Sequence, residues 1–392
     1  MKRSNPRTRQ MSSNGAGGAG PYPRSVPPVT PSTPPPADRR PVVVERPDPA
    51  DLYAALDLGT NSCRMLIAQP KGNQLHVVDS FSKSVQLGQG LEASGRLGRS
   101  SMARAIGALK ICQKKLQKHR VERMRLVATE ACRRATNAAE FISLVKRDTG
   151  LELEIIEPEE EARLAVVSCA PLVSTRTEQL LVVDIGGGST ELVWIDLSRV
   201  PRQDRLKAIM RLHQGFDHQD TPFPRAKVVD WISIPLGVAT LKDMYADVAD
   251  DGARFALMSW YFEEQLASFS PYDDAADQAR EGFQIIGTSG TVTTVAASHL
   301  GLRRYDRNKV DGLRMTSDQI DAVISQYLAL GPEGRRRDPR IGRDRQTLIM
   351  SGSAILQALL RAWPTDRLSV ADRGLREGLL YAQMSRDGVL EE

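Results

Sequence analysis

Three turns in this chain of 392 residues combine glycine with serine or threonine directly after a short apolar segment: residues 59–62, 186–190 and 287–291. A turn of this composition lets the backbone approach an anion closely and aims several N–H groups at it. Asp57 and Asp184 lie at the ends of the apolar segments before the first two turns, where carboxylates suit Mg²⁺ beside phosphate oxygens. One such turn is commonly an ordinary loop, whereas three of them predict a phosphate site.

Side chains in these turns add hydrogen-bond donors for phosphate. The hydroxyl groups in the first two turns belong to Thr60, Ser62, Ser189 and Thr190. The third turn repeats the composition with Ser289 and Gly290. The sequence contains neither GxxxxGK[ST] nor GxGxxG after a strand, which excludes a P-loop and a dinucleotide-binding turn.

A second group of candidates is acidic. Glu159, Glu160 and Glu161 open a predicted helix, where the helix dipole favours negative charge. Arg163 lies four residues after Glu159 and three after Glu160, so these two have a cation as a helical partner. Glu161 has only Leu164 and Ala165 at those spacings, which leaves its charge to face something else.

Glu191 and Arg133 complete the candidate residues. Glu191 follows the second glycine-rich turn directly and can position water or a metal ion. Arg133 lies one turn into the helix predicted to begin near Thr129, and its guanidinium can clamp a phosphate with two N–H groups. As one of 53 basic residues it would otherwise be an ordinary surface charge.

The elements that must position these residues alternate between strands and helices from residue 52 onward, which predicts an α/β architecture. An apolar stripe from Met102 to Leu116 predicts a helix over residues 101–118. Residues 55–62 and 183–190 both run from a strand through aspartate and glycine to hydroxyl residues, and Asp57 and Asp184 are 127 positions apart. This repeat predicts duplicated lobes that face each other across a cleft.

The first fifty residues differ from the rest of the chain. They hold 12 of the 23 prolines, 8 lysines and arginines and 3 acidic residues, and we predict that they form a disordered tail. The remainder has 45 basic and 45 acidic residues, so its composition does not indicate a nucleic-acid surface. No apolar run is long enough for a membrane span, and no apolar segment of a secretory signal follows the basic N-terminus. Isolated cysteines fit a reducing cytoplasm without disulfides or a zinc site.

Six motifs give the chain a specific resemblance. They occupy residues 56–62, 128–133, 160–164, 182–192, 286–291 and 372–379. Together they resemble the exopolyphosphatase and guanosine-pentaphosphate phosphohydrolase (Ppx/GppA phosphatase) family, within the superfamily of sugar kinases, heat-shock chaperones and actin. The resemblance covers residues 51–385 and is to a short form without the C-terminal helical domain of larger relatives. It implies two ribonuclease-H-like lobes: residues 51–158 form the first, residues 159–373 the second, and residues 374–392 a helix that crosses back to the first.

The same resemblance implies roles for individual residues. It implies Mg²⁺-dependent attack of water on a terminal phosphoryl group, with Glu161 as the general base, in its ordinary pKa range and therefore ionised at pH 7. The implied catalytic residues are Glu161, Glu191 and Arg133. The phosphate-binding residues that we expect are Asn61, Ser62, Gly186, Gly187, Gly188, Ser189, Thr190, Ser289 and Gly290. The expected metal ligands are Asp57, Asp184 and Glu191.

The leading hypothesis is removal of terminal phosphate from inorganic polyphosphate, and the alternative is hydrolysis of guanosine pentaphosphate to the tetraphosphate. Arginines between residues 335 and 345 could form a basic track for a long polyanion or a solvated loop. A sensor without catalysis would not need a general base, and residues 160–163 and 372–379 argue against a sugar kinase or chaperone ATPase. We interpret residues 196–231 as an inserted surface loop or interface. The family also suggests a homodimer.

Overall fold

The computed structural model describes residues 51–72, 74–216, 225–271 and 282–390. The predicted disordered tail therefore lies outside the described residues. Within the described part, no helix is both long enough and apolar enough to cross a membrane. All four cysteines are buried free thiols.

The first lobe is built on a five-stranded sheet with the order β3-β2-β1-β4-β5. Its strands are β1 (Tyr53–Leu58), β2 (Ser62–Lys71), β3 (Gln74–Ser84), β4 (Arg123–Ala128) and β5 (Glu154–Ile155). Its helices are α1 (Leu91–Ser94), α2 (Arg99–His119), α3 (Glu130–Arg134) and α4 (Ala138–Thr149). The stripe predicted for α2 packs into the core of this lobe, where Met102, Leu109, Cys112 and Leu116 are buried.

The second lobe is built on a six-stranded sheet with the order β10-β11-β9-β6-β7-β8. Its strands are β6 (Gln179–Ile185), β7 (Thr190–Asp196), β8 (Lys227–Ile234), β9 (Phe283–Thr288), β10 (Arg314–Met315) and β11 (Leu368–Ala371). The helices from here to the C-terminus are α5 (Pro158–Cys169), α6 (Arg205–Met210), α7 (Val238–Met244), α8 (Asp251–Leu266), α9 (Gly290–His299), α10 (Arg307–Val310), α11 (Ser317–Arg337), α12 (Ile349–Ala362) and α13 (Leu375–Arg386).

The two sheets share one plan. In each, the first three strands form an antiparallel meander, and the fourth strand pairs parallel to the first. A further strand then adds parallel to the fourth. The predicted α/β fold with two ribonuclease-H-like lobes is confirmed, since the repeat seen in the sequence is a repeat of topology.

Two helices contact both lobes. On α5, Val166 packs with the second sheet, whereas Leu164 packs in a cluster with Tyr53 of β1. On α13, Leu379 is fully buried in that same cluster against the first sheet, whereas Tyr381 packs with the second sheet. Burial of apolar side chains stabilises each contact by roughly 25 cal/mol per Å². The residues just before these helices are thereby held at the junction of the lobes.

The inserted segment at residues 196–231 is only partly a surface loop. Its helix α6 packs Ala208 and Ile209 into the core of the second lobe, and its last residues form part of β8. The expectation of a loop is therefore wrong for these stretches. The apolar residues were too widely spaced among arginines to indicate a helix in the sequence.

Candidate active site

The glycine-rich turns line one cavity of about 250 Å³ between the lobes. Asp57 and Asp184, the two aspartates of the internal repeat, both line it. The other predicted residues that line it are Asn61, Ser62, Glu161, Gly186, Gly187, Gly188, Ser189, Ser289 and Gly290. Most of the predicted site therefore converges in one place, although the turns are far apart in the sequence.

The first turn connects β1 to β2 and is held by backbone hydrogen bonds. The N–H of Gly59 donates to the carbonyl oxygen of Ser62 at 2.9 Å. The carbonyl oxygen of Asn61 accepts from Val85 at 2.9 Å, and that of Thr60 accepts from Gly88 at 2.9 Å. These bonds fix the turn to the segment that follows β3, so the turn enters the cavity in one conformation.

The second turn connects β6 to β7 in the same way. The N–H of Gly186 donates to the carbonyl oxygen of Ser189 at 2.9 Å. The carbonyl oxygens of Gly186 and Gly187 accept from Val238 at 3.0 Å and Ala239 at 2.8 Å, in the first turn of α7. Free N–H groups at a helix start need acceptors, and here the turn supplies them.

The two turns touch each other. A Cβ added to Gly187 would lie 3.0 Å from the backbone N of Asn61, and one added to Gly188 would lie 2.3 Å from Oγ1 of Thr60. Only glycine permits this approach of the lobes. The contact places the phosphate-binding candidates of both lobes side by side.

The third turn leads into α9, a helix of ten residues. The hydroxyl of Ser289 accepts from the N–H of Val292 at 3.0 Å and so caps the helix. Gly290 packs against the guanidinium of Arg345, which also lines the cavity. The helix N-terminus adds partial positive charge to the same cavity.

Thr190 and Glu191 lie behind the second turn, outside the lining of the cavity. The hydroxyl of Thr190 is fully buried and donates to the carbonyl oxygen of Leu236 at 2.7 Å. Glu191 is 2% exposed and accepts from Ser233 at 2.9 Å. The hydroxyl of Thr190 therefore makes its hydrogen bond to the protein backbone, and Glu191 lies beside Asp184 on the neighbouring strand.

Arg133 also lies outside the cavity lining, and it contacts Glu161. Its Nη1 donates to Oε2 of Glu161 at 2.8 Å and to the carbonyl oxygen of Ile156 at 2.8 Å. Its Nε and Nη2 donate to Oε2 of Glu130 at 3.2 Å and 2.9 Å. Four of its five N–H groups therefore face protein acceptors. Arg133 is therefore the ion-pair partner of Glu161, which has no cation at helical spacing in the sequence.

The buried carboxylates raise one another's pKa. Burial, followed by the charge of Glu191, raises the pKa of Glu161 to about 8 despite its ion pair with Arg133. Burial and the charge of Glu161 raise the pKa of Asp184 to about 8. Burial and the charge of Asp184 raise the pKa of Glu191 to about 7. The expectation of an ordinary pKa for Glu161 is therefore wrong, because it assumed a solvated carboxylate.

These carboxylates suit a cation that is shared with substrate. Among the described residues, no three acidic, histidine or cysteine side chains come close enough together to hold a metal ion alone. Mg²⁺ is usually held by one or two carboxylates, several waters and substrate phosphates. Asp57 and Asp184 are half-buried, line the same cavity and have raised pKa values. Their chemistry fits Mg²⁺ bound together with phosphate.

The cavity lining also includes charged residues for which the sequence predicted no role: Arg64, Glu130, Asp372, Arg373 and Arg376. Arg64 lies opposite Asp57 across β1 and β2, and its charge opposes the burial that raises the pKa of that aspartate. Arg373 is held by Asp311 at 2.7 Å. The register of the β1–β2 hairpin could have identified Arg64, since it lies seven residues after Asp57 as Glu191 does after Asp184.

The arginine cluster between residues 335 and 345 is largely paired within the fold. Arg335 contacts Asp251 at 2.8 Å, Arg336 contacts Glu333 at 2.6 Å and Arg340 contacts Asp338. Arg345 lines the cavity and donates to the hydroxyl of Thr293 at 3.2 Å. Pairing reduces the charge that this cluster offers to a polyanion, and Arg335 is buried on α11 instead of lying in a solvated loop.

Two mixed α/β lobes therefore meet at one cavity that is lined by anion-binding turns and carboxylates. The chain belongs to the Ppx/GppA phosphatase family, whose model matches residues 66–387. It is 29% identical over 337 residues to a guanosine-5'-triphosphate,3'-diphosphate pyrophosphatase of Aeromonas salmonicida, covering 86% of this chain and 60% of that protein. The chain thus spans about 60% of the length of the curated relatives it matches.

Solved structures agree with this assignment. A Ppx/GppA family member from Aquifex aeolicus is 30% identical, with a TM-score of 0.65, and covers 86% of this chain and 98% of its own. An exopolyphosphatase-like protein is 26% identical, with a TM-score of 0.71, and covers 86% of this chain and 99% of its own. The recognition of the family from six sequence motifs is confirmed.

Proposed function

We propose that this phosphatase hydrolyses the terminal phosphoanhydride bond of inorganic polyphosphate and releases orthophosphate. The observation that carries the proposal is the convergence of three glycine-rich turns and Glu161 on one cavity. Among the described residues, the lining of this cavity includes no aromatic side chain on which a nucleobase could stack. A chain of phosphates needs only hydrogen-bond donors and cations, and the lining supplies both.

In the proposed reaction, water attacks the terminal phosphorus and the bond from phosphorus to the bridging oxygen breaks. The electron pair of that bond stays with the shortened chain, and Glu161 accepts the proton of the attacking water. N–H groups of the turns at residues 59–62 and 186–190 bind the phosphate oxygens. Most of the acceleration in phosphoryl transfer comes from such positioning and charge stabilisation.

Asp57 and Asp184 are the residues that would hold Mg²⁺, with Glu191 behind them. Bound there, the ion would neutralise charge on the transferring phosphoryl group. The chain's own part is to present these carboxylates on fixed strand ends and to shield them from bulk water. A nearby cation would also lower the pKa of Glu161 itself, which would leave this carboxylate ionised and able to take a proton.

The second candidate substrate is guanosine pentaphosphate. The names of the curated Aeromonas relatives favour it, while the name of the exopolyphosphatase-like structure favours polyphosphate. Both substrates end in the same phosphoanhydride, so the same residues would serve either one. The two differ in whether a guanosine must be bound outside the phosphate cavity.

A phosphate-release assay with both substrates at matched concentrations tests the proposal. We expect a higher kcat/KM for inorganic polyphosphate than for guanosine pentaphosphate, and a requirement for added Mg²⁺. Glu161→Gln should lower kcat about 10²- to 10⁴-fold with either substrate, because it removes the general base. A higher kcat/KM for guanosine pentaphosphate would reverse the order of the candidates, and no release from either would reject the function.

A further inference from the structure

Glu130 is a buried acid in the cavity; it lies in the motif at residues 128–133, but neither that motif nor the proposed mechanism assigns it a role. It is the first residue of α3, is 8% exposed and lines the cavity. A buried carboxylate is costly unless it is paired. Its main partner is Arg133, to which its Oε2 is joined by two hydrogen bonds.

The second turn fixes the position of Glu130. A Cβ added to Gly188 would lie 2.9 Å from Cγ and 3.2 Å from Cβ of Glu130. The side chain therefore packs directly beneath the turn of the opposite lobe. Close packing of this kind holds a side chain in one rotamer. Glu130 consequently presents its carboxylate to Arg133 from a fixed place.

This arrangement divides the guanidinium of Arg133 between two carboxylates. The edge formed by Nε and Nη2 faces Glu130, whereas Nη1 reaches Oε2 of Glu161 and the carbonyl oxygen of Ile156. Arginine and carboxylate otherwise prefer a two-point contact with two parallel hydrogen bonds. Arg133 has only a one-point contact with Glu161.

We propose that Glu130 is a positioning residue that restricts Arg133 to this one-point contact, so that Glu161 keeps an oxygen for the attacking water. Without Glu130, the guanidinium can turn its second edge to Glu161 and bind both carboxylate oxygens. Neither oxygen of Glu161 would then be available to accept a proton from water. The inference rests on the proposed function, because Glu161 acts as a base only if the chain hydrolyses its substrate.

Glu130→Gln tests the proposal with inorganic tripolyphosphate as the probe. We expect kcat to fall about tenfold or more, while the dissociation constant measured by calorimetry stays equal or decreases, since a negative charge beside an anion site is removed. Damage to the fold of the cavity would instead weaken binding. A raised dissociation constant with unchanged kcat would overturn the proposal.

A double-mutant cycle with Arg133→Ala shows whether Glu130 acts through Arg133. In the Arg133→Ala background we expect Glu130→Gln to change kcat less than twofold, because the guanidinium it restrains is gone. An equal loss in both backgrounds would overturn the proposal. If the wild-type protein releases no phosphate, the proposed function fails, and the same cycle measured on tripolyphosphate affinity still shows whether the two residues are coupled.

Glu92→Gln is the matched control. Glu92 binds Arg134, the next residue along α3, through hydrogen bonds of 2.5 Å and 2.8 Å. Glu92→Gln removes an ion pair to the same helix, and neither of its residues lines the cavity. We therefore expect kcat to stay within twofold of wild type. Should Glu130→Gln fail to fold, Glu130→Asp keeps the charge, and a smaller loss of kcat in the same direction is expected.

Discussion

The first and second strand–turn–strand units, β1–β2 and β6–β7, share one backbone plan. They differ in the charge of the residue that faces the aspartate. In each unit an aspartate precedes a glycine whose N–H donates to a serine carbonyl oxygen at 2.9 Å. Arg64 lies opposite Asp57 in the first unit, whereas Glu191 lies opposite Asp184 in the second. All of these equivalent positions are 127 residues apart.

The facing residue changes the electrostatic surroundings of the aspartate in each lobe. In the first unit, the charge of Arg64 opposes the effect of burial on the pKa of Asp57. In the second, Glu191 and Asp184 face each other, and burial raises the pKa of both, to about 7 and about 8. Stability alone would favour a cation opposite both aspartates. A cation bound beside this pair, as proposed above, would offset the repulsion between the two carboxylates.

Replacing Glu191 with glutamine should have the largest effect of the substitutions that compare the two units. We expect Glu191→Gln to lower phosphate release about 10²- to 10⁴-fold, as for the loss of a group that positions water. Because it removes a buried carboxylate that faces a second carboxylate, the melting temperature without Mg²⁺ should rise. Phosphate release and the calorimetric melting temperature, measured on the same preparation, show whether activity falls while stability rises.

The equivalent change in the first lobe, Arg64→Gln, serves as the control. It leaves Asp57 without its facing cation, so we expect the melting temperature to fall. It also removes a cation from the cavity, which should raise KM for polyphosphate about tenfold, or about 1.4 kcal/mol. Loss of stability in both variants would show that the charge difference between the units is incidental.

The sequence was sufficient to predict the parts of the fold that use local signals. The strand ends at Asp57 and Asp184, the glycine-rich turns and the helix stripe on α2 each depend on residues close together in the chain. Their convergence was predicted from the internal repeat, because duplicated units in a two-lobed fold face each other.

Other features depend on pairing between distant segments and could not be predicted in this way. The strands β3, β8 and β11 carry no clear period-two pattern, and their pairing across the sheet decides their conformation. The ion pair of Glu161 with Arg133 joins residues 28 positions apart on different helices. The pKa of Glu161 then follows from burial, which spacing in the sequence does not reveal.

Equivalent glycines in the two turns provide a smaller test of the comparison. A Cβ on Gly186 would lie 2.8 Å from the carbonyl oxygen of Ser189, whereas one on Gly59 would lie 3.7 Å from that of Ser62. We therefore expect Gly186→Ala to destabilise the protein by about 1–3 kcal/mol, as overpacking does, and Gly59→Ala to be near neutral. Urea unfolding of both variants measures this, and equal stabilities would mean that the second turn is not more tightly packed.

Linkage to protons and Mg²⁺ gives the final test. In the folded protein burial raises the pKa of Glu161 and Asp184 to about 8, from ordinary values of 4.5 and 3.8. Between these limits the folded state binds more protons than the unfolded state. Without Mg²⁺, the free energy of unfolding should therefore fall as pH rises from about 4 to about 8. Asp184→Asn should flatten this fall more than Asp57→Asn, because Glu161 and Asp57 add to the rise in the pKa of Asp184, whereas Arg64 and Arg376 oppose the rise in the pKa of Asp57.

Mg²⁺ should act in the opposite direction, since it binds carboxylates that have lost their protons. At ten times its dissociation constant the ion would stabilise the protein by about 1.4 kcal/mol at pH 8, and by less at pH 5. Thermal unfolding with and without Mg²⁺ at the two pH values measures the difference without relying on activity. Equal stabilisation at both values would mean that the ion binds elsewhere, and the charge difference between the two units would then need another explanation.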